Sequence, residues 1–154
     1  MSFVVTSCHS LTMQDWPKLA AINIVDMHCS VGKRSDDEFA QLLTNVPRLT
    51  RLQLYFQRIR LEKWTPSNAI DAQLLHVTKL PLLQRLVVYH RWPGKWSTID
   101  TLLTQCSSLR WLWLPKLDKN TWPSIRRSIR ARWRTLGFVV EKRTSGVCLT
   151  RVPS

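Results

Sequence analysis

A chain of 154 residues, 44% of them hydrophobic, is long enough for one domain with a real core and too short for two. No run of about 18 apolar residues exists, and MSFVVTSCHS has neither the basic start and long apolar stretch of a signal peptide nor the arginine-rich pattern of a mitochondrial presequence. A transmembrane segment is therefore not expected, and the expected location is cytoplasmic or nuclear. The formal charge of +13 and pI of about 10.5 favour anionic partners without choosing among phosphate backbones, lipid surfaces and acidic proteins. From Lys119 to the end nine basic residues face one acid, Glu141, so +8 of the +13 sits in the last quarter.

Along the chain, Phe3 to Thr6 is β-rich and predicts a short first strand. One skeleton then returns four times, an apolar residue followed at three and five positions by two more: Leu19-Ile22-Ile24, Leu49-Leu52-Leu54, Leu83-Leu86-Val88 and Leu109-Leu112-Leu114. Each LxxLxL unit predicts a strand whose alternate side chains enter the core while those between them line the other face. The strands are expected near 22–25, 52–55, 86–89 and 111–114. Ahead of the last three lie helical patterns ending in leucine pairs, Leu42-Leu43, Leu74-Leu75 and Leu102-Leu103. Their expected caps are Ser35, Ser67 or Asn68, and Ser97 or Thr98. Beyond them, Trp122, Ile125, Ile129 and Trp133 make the apolar stripe of a last helix, Gly137 suits its left-handed end, and 138–142 reads as a last strand. The tail TSGVCLTRVPS is expected to pair along the exposed sheet edge.

Alternating strands and helices, with steps of 30, 34 and 26 residues between equivalent leucines, predict an α/β chain. The expected form is a single leucine-rich-repeat domain over 1–154, a right-handed solenoid with a short parallel sheet on its concave face and helices on its convex face. The unfinished first repeat reads as the start of a fragment of a longer protein. The segments Asn45-Val46-Pro47-Arg48-Leu49, Lys79-Leu80-Pro81-Leu82-Leu83 and Gln105-Cys106-Ser107-Ser108-Leu109 resemble strand entries of the intracellular, ribonuclease-inhibitor-like leucine-rich repeats. The closest likeness is to the repeat regions of F-box proteins, over roughly residues 13–117. The chain departs from that pattern in having Met27, Gln57, Arg91 and Leu117 where the family often places Asn or Cys, and no F-box module precedes the repeats. The resemblance implies capture of a protein substrate for ubiquitination, as the binding part of a longer ubiquitin-ligase receptor.

The positions between the core residues are the candidate protein-binding surface. They are Ala21, Asn23 and Val25, then Arg51, Gln53 and Tyr55, then Arg85, Val87 and Tyr89, then Trp111, Trp113 and Pro115. Stacked, they predict columns Arg51-Arg85-Trp111 and Tyr55-Tyr89-Pro115 with Trp113 between, made of the residue types that dominate binding hot spots. The competing reading tucks Trp111 and Trp113 under the C-terminal segment. The loop HRWPGKWS adds Trp92 and Trp96 as recognition residues or as covers for a helix end. On the last helix Arg126, Arg130 and Arg134, with Arg127 beside them, form a basic stripe for an anionic ligand. That stripe carries the alternative function, a basic protein that binds nucleic acid or an acidic protein through its C-terminal helix.

Cys8, Cys29, Cys106 and Cys148 have no CxxC spacing and are expected as reduced, mostly buried thiols, with no metal site. Phosphate-cradling loops, GxSxG and HExxH are missing, and His9, His28, His76 and His90 have no nucleophile or carboxylate at a motif spacing. A non-catalytic interaction scaffold with no cofactor is the resulting expectation.

Overall fold

A computed structural model describes residues 3–5, 14, 18–19, 24–31, 35–56, 67–89, 95–115 and 127–153. In chain order they form β1 (Phe3–Val5), β2 (Ile24–Val31), α1 (Asp36–Thr44), β3 (Arg51–Phe56) and α2 (Ser67–His76), extended by a 3-10 turn at Val77–Lys79. Then come β4 (Arg85–Tyr89), α3 (Trp96–Gln105), β5 (Trp111–Pro115), α4 (Arg127–Thr135), β6 (Phe138–Arg143) and β7 (Gly146–Arg151). The strands make one sheet in the order β1-β2-β3-β4-β5-β7-β6. Neighbours from β1 to β5 are parallel, while β7 is antiparallel to both β5 and β6.

This order corrects the expected leucine-rich-repeat solenoid with its short parallel sheet. The chain forms a small α/β domain around an open, mixed sheet, and no solenoid is shown. The physical reason lies in the tail. A tight turn at Thr144-Ser145 folds β6 and β7 into an antiparallel hairpin, and β7, not the strand that directly follows α4, pairs with β5. A second correction concerns the first long strand, expected near 22–25. In β2 the residues in register with Leu52 and Leu54 are Met27 and Cys29. The repeating set there is thus Ile24-Met27-Cys29, with the same spacing but displaced by five residues.

The core follows from this register. One row of inward residues runs Met27-Leu52-Leu86-Leu112-Leu149-Val140 across six strands, and a second runs Cys29-Leu54-Val88. Phe39, Leu42 and Leu43 of α1, Leu74 of α2, Ile99, Leu102 and Leu103 of α3, and Trp133 of α4 pack with them into one buried cluster. The pair Leu74-Leu75 splits, because adjacent helical residues point about 100° apart: Leu74 is buried and Leu75 is 36% exposed.

Local chemistry fixes the helix ends. Ser35 and Glu38 form a reciprocal capping box on α1, with Glu38 N–H to Ser35 Oγ at 3.2 Å and Ser35 N–H to Glu38 Oε2 at 3.0 Å. At α3 the cap comes from elsewhere. Lys95 occupies the N-cap without a side-chain contact, and the buried Asp71 carboxylate of α2 accepts Lys95 N–H at 3.1 Å and Thr98 Oγ1–H at 2.7 Å. The other end of α3 is closed by Arg151 of β7, whose Nη2 donates to Leu103 O at 3.2 Å and Cys106 O at 3.4 Å. Helix α4 is bound to α3 through Asp100, which accepts Trp133 Nε1–H at 2.6 Å and pairs with Arg132 Nε at 3.2 Å. Gly137, with φ of 82°, ends α4 in the left-handed conformation expected of it. Among the described residues no helix is long and apolar enough to cross a membrane.

Candidate functional site

The sheet face opposite the helix-covered core carries the alternate residues of the long strands. In one row Asp26, Arg51, Arg85 and Trp111 are in register; in the next, His28, Gln53, Val87 and Trp113; Tyr55 and Tyr89 begin a third. The predicted column Arg51-Arg85-Trp111 is therefore present as a row across three strands. The predicted Tyr55-Tyr89-Pro115 column stops at Tyr89, because Pro115 is buried and its register partner is Gly146 of β7. The shift of β2 likewise replaces the predicted Ala21, Asn23 and Val25 by Asp26 and His28; Ala21 and Asn23 lie outside the described residues.

Two groups of contacts lie on this face. The Tyr55 and Tyr89 rings stack with centroids 4.4 Å apart and planes 6° from parallel. Adjacent strands are about 4.8 Å apart, so rings stacked at that separation stand on edge from the sheet, like the strands beneath them. Tyr89 OH donates to Gln53 Oε1 at 3.0 Å, and Gln53 Nε2 lies 2.7 Å from His28 Nε2. Because an amide nitrogen only donates, His28 Nε2 is the acceptor. The His28 ring in turn lies 6.1 Å from Tyr55, tilted by 31°. Burial raises the pKa of the Tyr55 phenol above its ordinary 10.0, and the adjacent Tyr89 raises it further through its charge and its hydrogen bond.

A second stack occupies β4 and β5. The Arg85 guanidinium carbon lies 4.2 Å from the Trp111 ring centroid, and Trp111 and Trp113 are near-parallel at 6.2 Å and 11°. Trp113 lies close over Gly146, where an added Cβ would stand 2.9 Å from the indole. The C-terminal strand thus holds Trp113 from one side without burying either tryptophan; both remain half-exposed. Val87, only 7% exposed, is covered by its larger neighbours and supports them from below.

The remaining predicted residues lie elsewhere. Trp96 opens α3 and packs edge-on against Trp133, centroids 5.9 Å apart, on the helical side of the molecule, so it is a cover for a helix end and not part of the face. Arg127, Arg130 and Arg134 line a groove on α4 together with Ala131, apart from the sheet-face cluster. Trp92 and Arg126 lie outside the described residues. Asp26 and His28 are the site residues that sequence reasoning missed. The alternation in Ile24-Val25-Asp26-Met27-His28-Cys29 carries their signal once Met and Cys are counted as core residues. Cys29, Cys106 and Cys148 are buried free thiols, and burial pushes the Cys106 thiol up to about 11 against the pull of Arg151. No protein-family model matches the chain, and no curated protein matches it.

Proposed function

We propose that the chain is a partner-binding module whose sheet face opposite the described helices takes a protein ligand. The observation that carries this reading is the half-exposed Tyr55–Tyr89 stack, locked to Gln53 and His28 and on the same sheet face as Arg85, Trp111 and Trp113. Tyr, Trp and Arg dominate binding hot spots, and side chains already held by one another lose little freedom when a ligand arrives. The orientation of the rings favours protein over single-stranded nucleic acid at this face. Bases stack on exposed ring faces, whereas here the stacking of Tyr55 on Tyr89 and of Arg85 on Trp111 leaves ring edges and polar tips outward.

Peptides selected on the wild-type protein from a random display library supply the probe. Their affinity is expected to fall at least ~30-fold, the equivalent of about 2 kcal/mol, in the triple variant Tyr55→Ala, Tyr89→Ala, Trp113→Ala. Unchanged affinity in a triple variant that keeps its far-ultraviolet dichroism removes the claim. A second reading, nucleic-acid binding at α4, is supported by the groove lined by Arg127, Arg130 and Arg134. It requires binding that falls steeply with salt and is lost when those three arginines are neutralised.

A further inference from the structure

We infer that the ligand presents an acidic segment, one carboxylate of which sits between Arg51 and Arg85; this rests on the protein-binding reading above. The two arginines are direct cross-strand neighbours, and like charges so placed repel one another. Among the described residues no group neutralises both. Asp26 pairs with Arg51, at 3.8 Å, and that arginine's side chain remains 62% exposed. On the other side Arg85 meets an uncharged ring, Trp111, at 4.2 Å. Glu141, the next acid in these rows, is engaged by Arg143 at 2.8 Å on β6.

The contact with Trp111 determines what Arg85 offers. A guanidinium lying over an indole spends one of its faces on the ring and keeps its N–H edge for an acceptor. That edge is the fork that grips a carboxylate with two parallel hydrogen bonds. Held by the ring, the fork is pre-oriented, and a carboxylate placed between Arg85 and Arg51 turns their repulsion into two charge-assisted contacts. Trp111 adjoins Arg85 and Trp113 lies beside Trp111, so a residue flanking the acid meets aromatic edges, with the tyrosine stack two rows farther along the same strands. The chain's charge of +13 draws acidic segments toward it over longer range.

The test pans a random peptide display library on the wild type and on Arg51→Ala/Arg85→Ala, and measures the selected peptides by fluorescence anisotropy with and without oligo(dT) competitor. Wild type is expected to enrich Asp and Glu beside aromatic or aliphatic residues. The double variant is expected to lose that acid enrichment and to bind the selected peptides about tenfold or more weakly, with Arg85→Lys only partly restoring affinity. Selected peptides without acids that depend on Tyr55 and Tyr89 but not on the arginines overturn the acidic-segment inference and leave the protein-binding reading standing. Peptides insensitive to all four residues overturn both. Displacement by oligo(dT) that is lost in Arg51→Ala/Arg85→Ala overturns the protein reading in favour of nucleic acid.

Discussion

Replacing Asp71 by Ala removes the cap of a helix that cannot cap itself. Lys95 makes no side-chain capping hydrogen bond at the start of α3; among the described residues the Asp71 carboxylate accepts Lys95 N–H and the Thr98 hydroxyl, and Thr98 is 6% exposed. Loss of an N-cap costs about 1 kcal/mol, a buried hydroxyl left without its acceptor about 1–3 kcal/mol, and loss of a negative charge at a helix N-terminus about 0.3–1 kcal/mol. These contributions overlap, which gives an expected loss of about 2–4 kcal/mol. In a domain of 154 residues a loss near ~3 kcal/mol lowers Tm by about 6–12 °C. Urea unfolding followed by tryptophan fluorescence reads the change as a shift in midpoint with the slope preserved. Asp71→Asn keeps an acceptor and is expected to lose about 1 kcal/mol, while Thr98→Val in the Asp71→Ala background removes the orphaned hydroxyl and recovers part of the deficit. An Asp71→Ala protein within ~0.5 kcal/mol of wild type would refute the reasoning, as would Asn and Ala variants of equal stability.

The protein has two tyrosines, and both are in the stack. Its phenolate absorbance is therefore expected to include a step above the ordinary tyrosine range that disappears in Tyr55→Phe; a single unshifted step for both phenols contradicts the stacked geometry. Gly146→Ala brings a methyl onto the Leu114 carbonyl oxygen and to 2.9 Å from the Trp113 ring. Since the oxygen is backbone, the variant is expected to lose about 1–3 kcal/mol in urea unfolding, with only partial recovery when Trp113→Ala is added; full recovery would place the whole clash on the indole. With its pKa pushed up to about 11, the Cys106 thiol stays protonated at pH 8. Its thiolate fraction is about a hundredfold below that of a thiol at the ordinary value of 9.0, part of which the higher nucleophilicity of its thiolate offsets, and it is expected to alkylate at least about tenfold more slowly. Because the folded pKa is the higher one, the native state holds the proton more tightly. This contribution to stability is constant below pH 9 and declines as pH rises from 9 toward 11. Peptide mapping after timed alkylation that finds Cys106 modified as fast as in urea contradicts its burial.

Where the repeated apolar triplets are strong, the strands stand where the pattern places them. Leu52-Leu54, Leu86-Val88 and Leu112-Leu114 are all buried, and the residues between them form the row Arg51-Arg85-Trp111. Period-2 alternation suffices for that, because one core face fixes the register of its opposite. At β2 the pattern is ambiguous: Leu19-Ile22-Ile24 offers a wholly aliphatic match just ahead of Ile24-Met27-Cys29, whose Met and Cys are weaker pattern signals but equally apolar. The parallel sheet that the resemblance to repeat proteins implies ends at β5: a two-residue turn at Thr144-Ser145 makes β6 and β7 an antiparallel hairpin, and strand pattern alone does not say which of the two takes the place beside β5. Asp71 illustrates another limit. Its partner is 24 residues away in sequence, whereas capping signals are local, and locally only Ser97 and Thr98 offer one.

Amide chemical-shift mapping of a peptide selected on the wild-type protein separates the two surfaces in one titration. If the sheet face opposite the described helices binds, the shifts concentrate on Arg51–Tyr55, Arg85–Tyr89 and Trp111–Trp113 and on the indole N–H groups of Trp111 and Trp113. Shifts confined to Arg127–Thr135, with the tyrosine and tryptophan strands unmoved, would contradict it and place the binding on the basic helix.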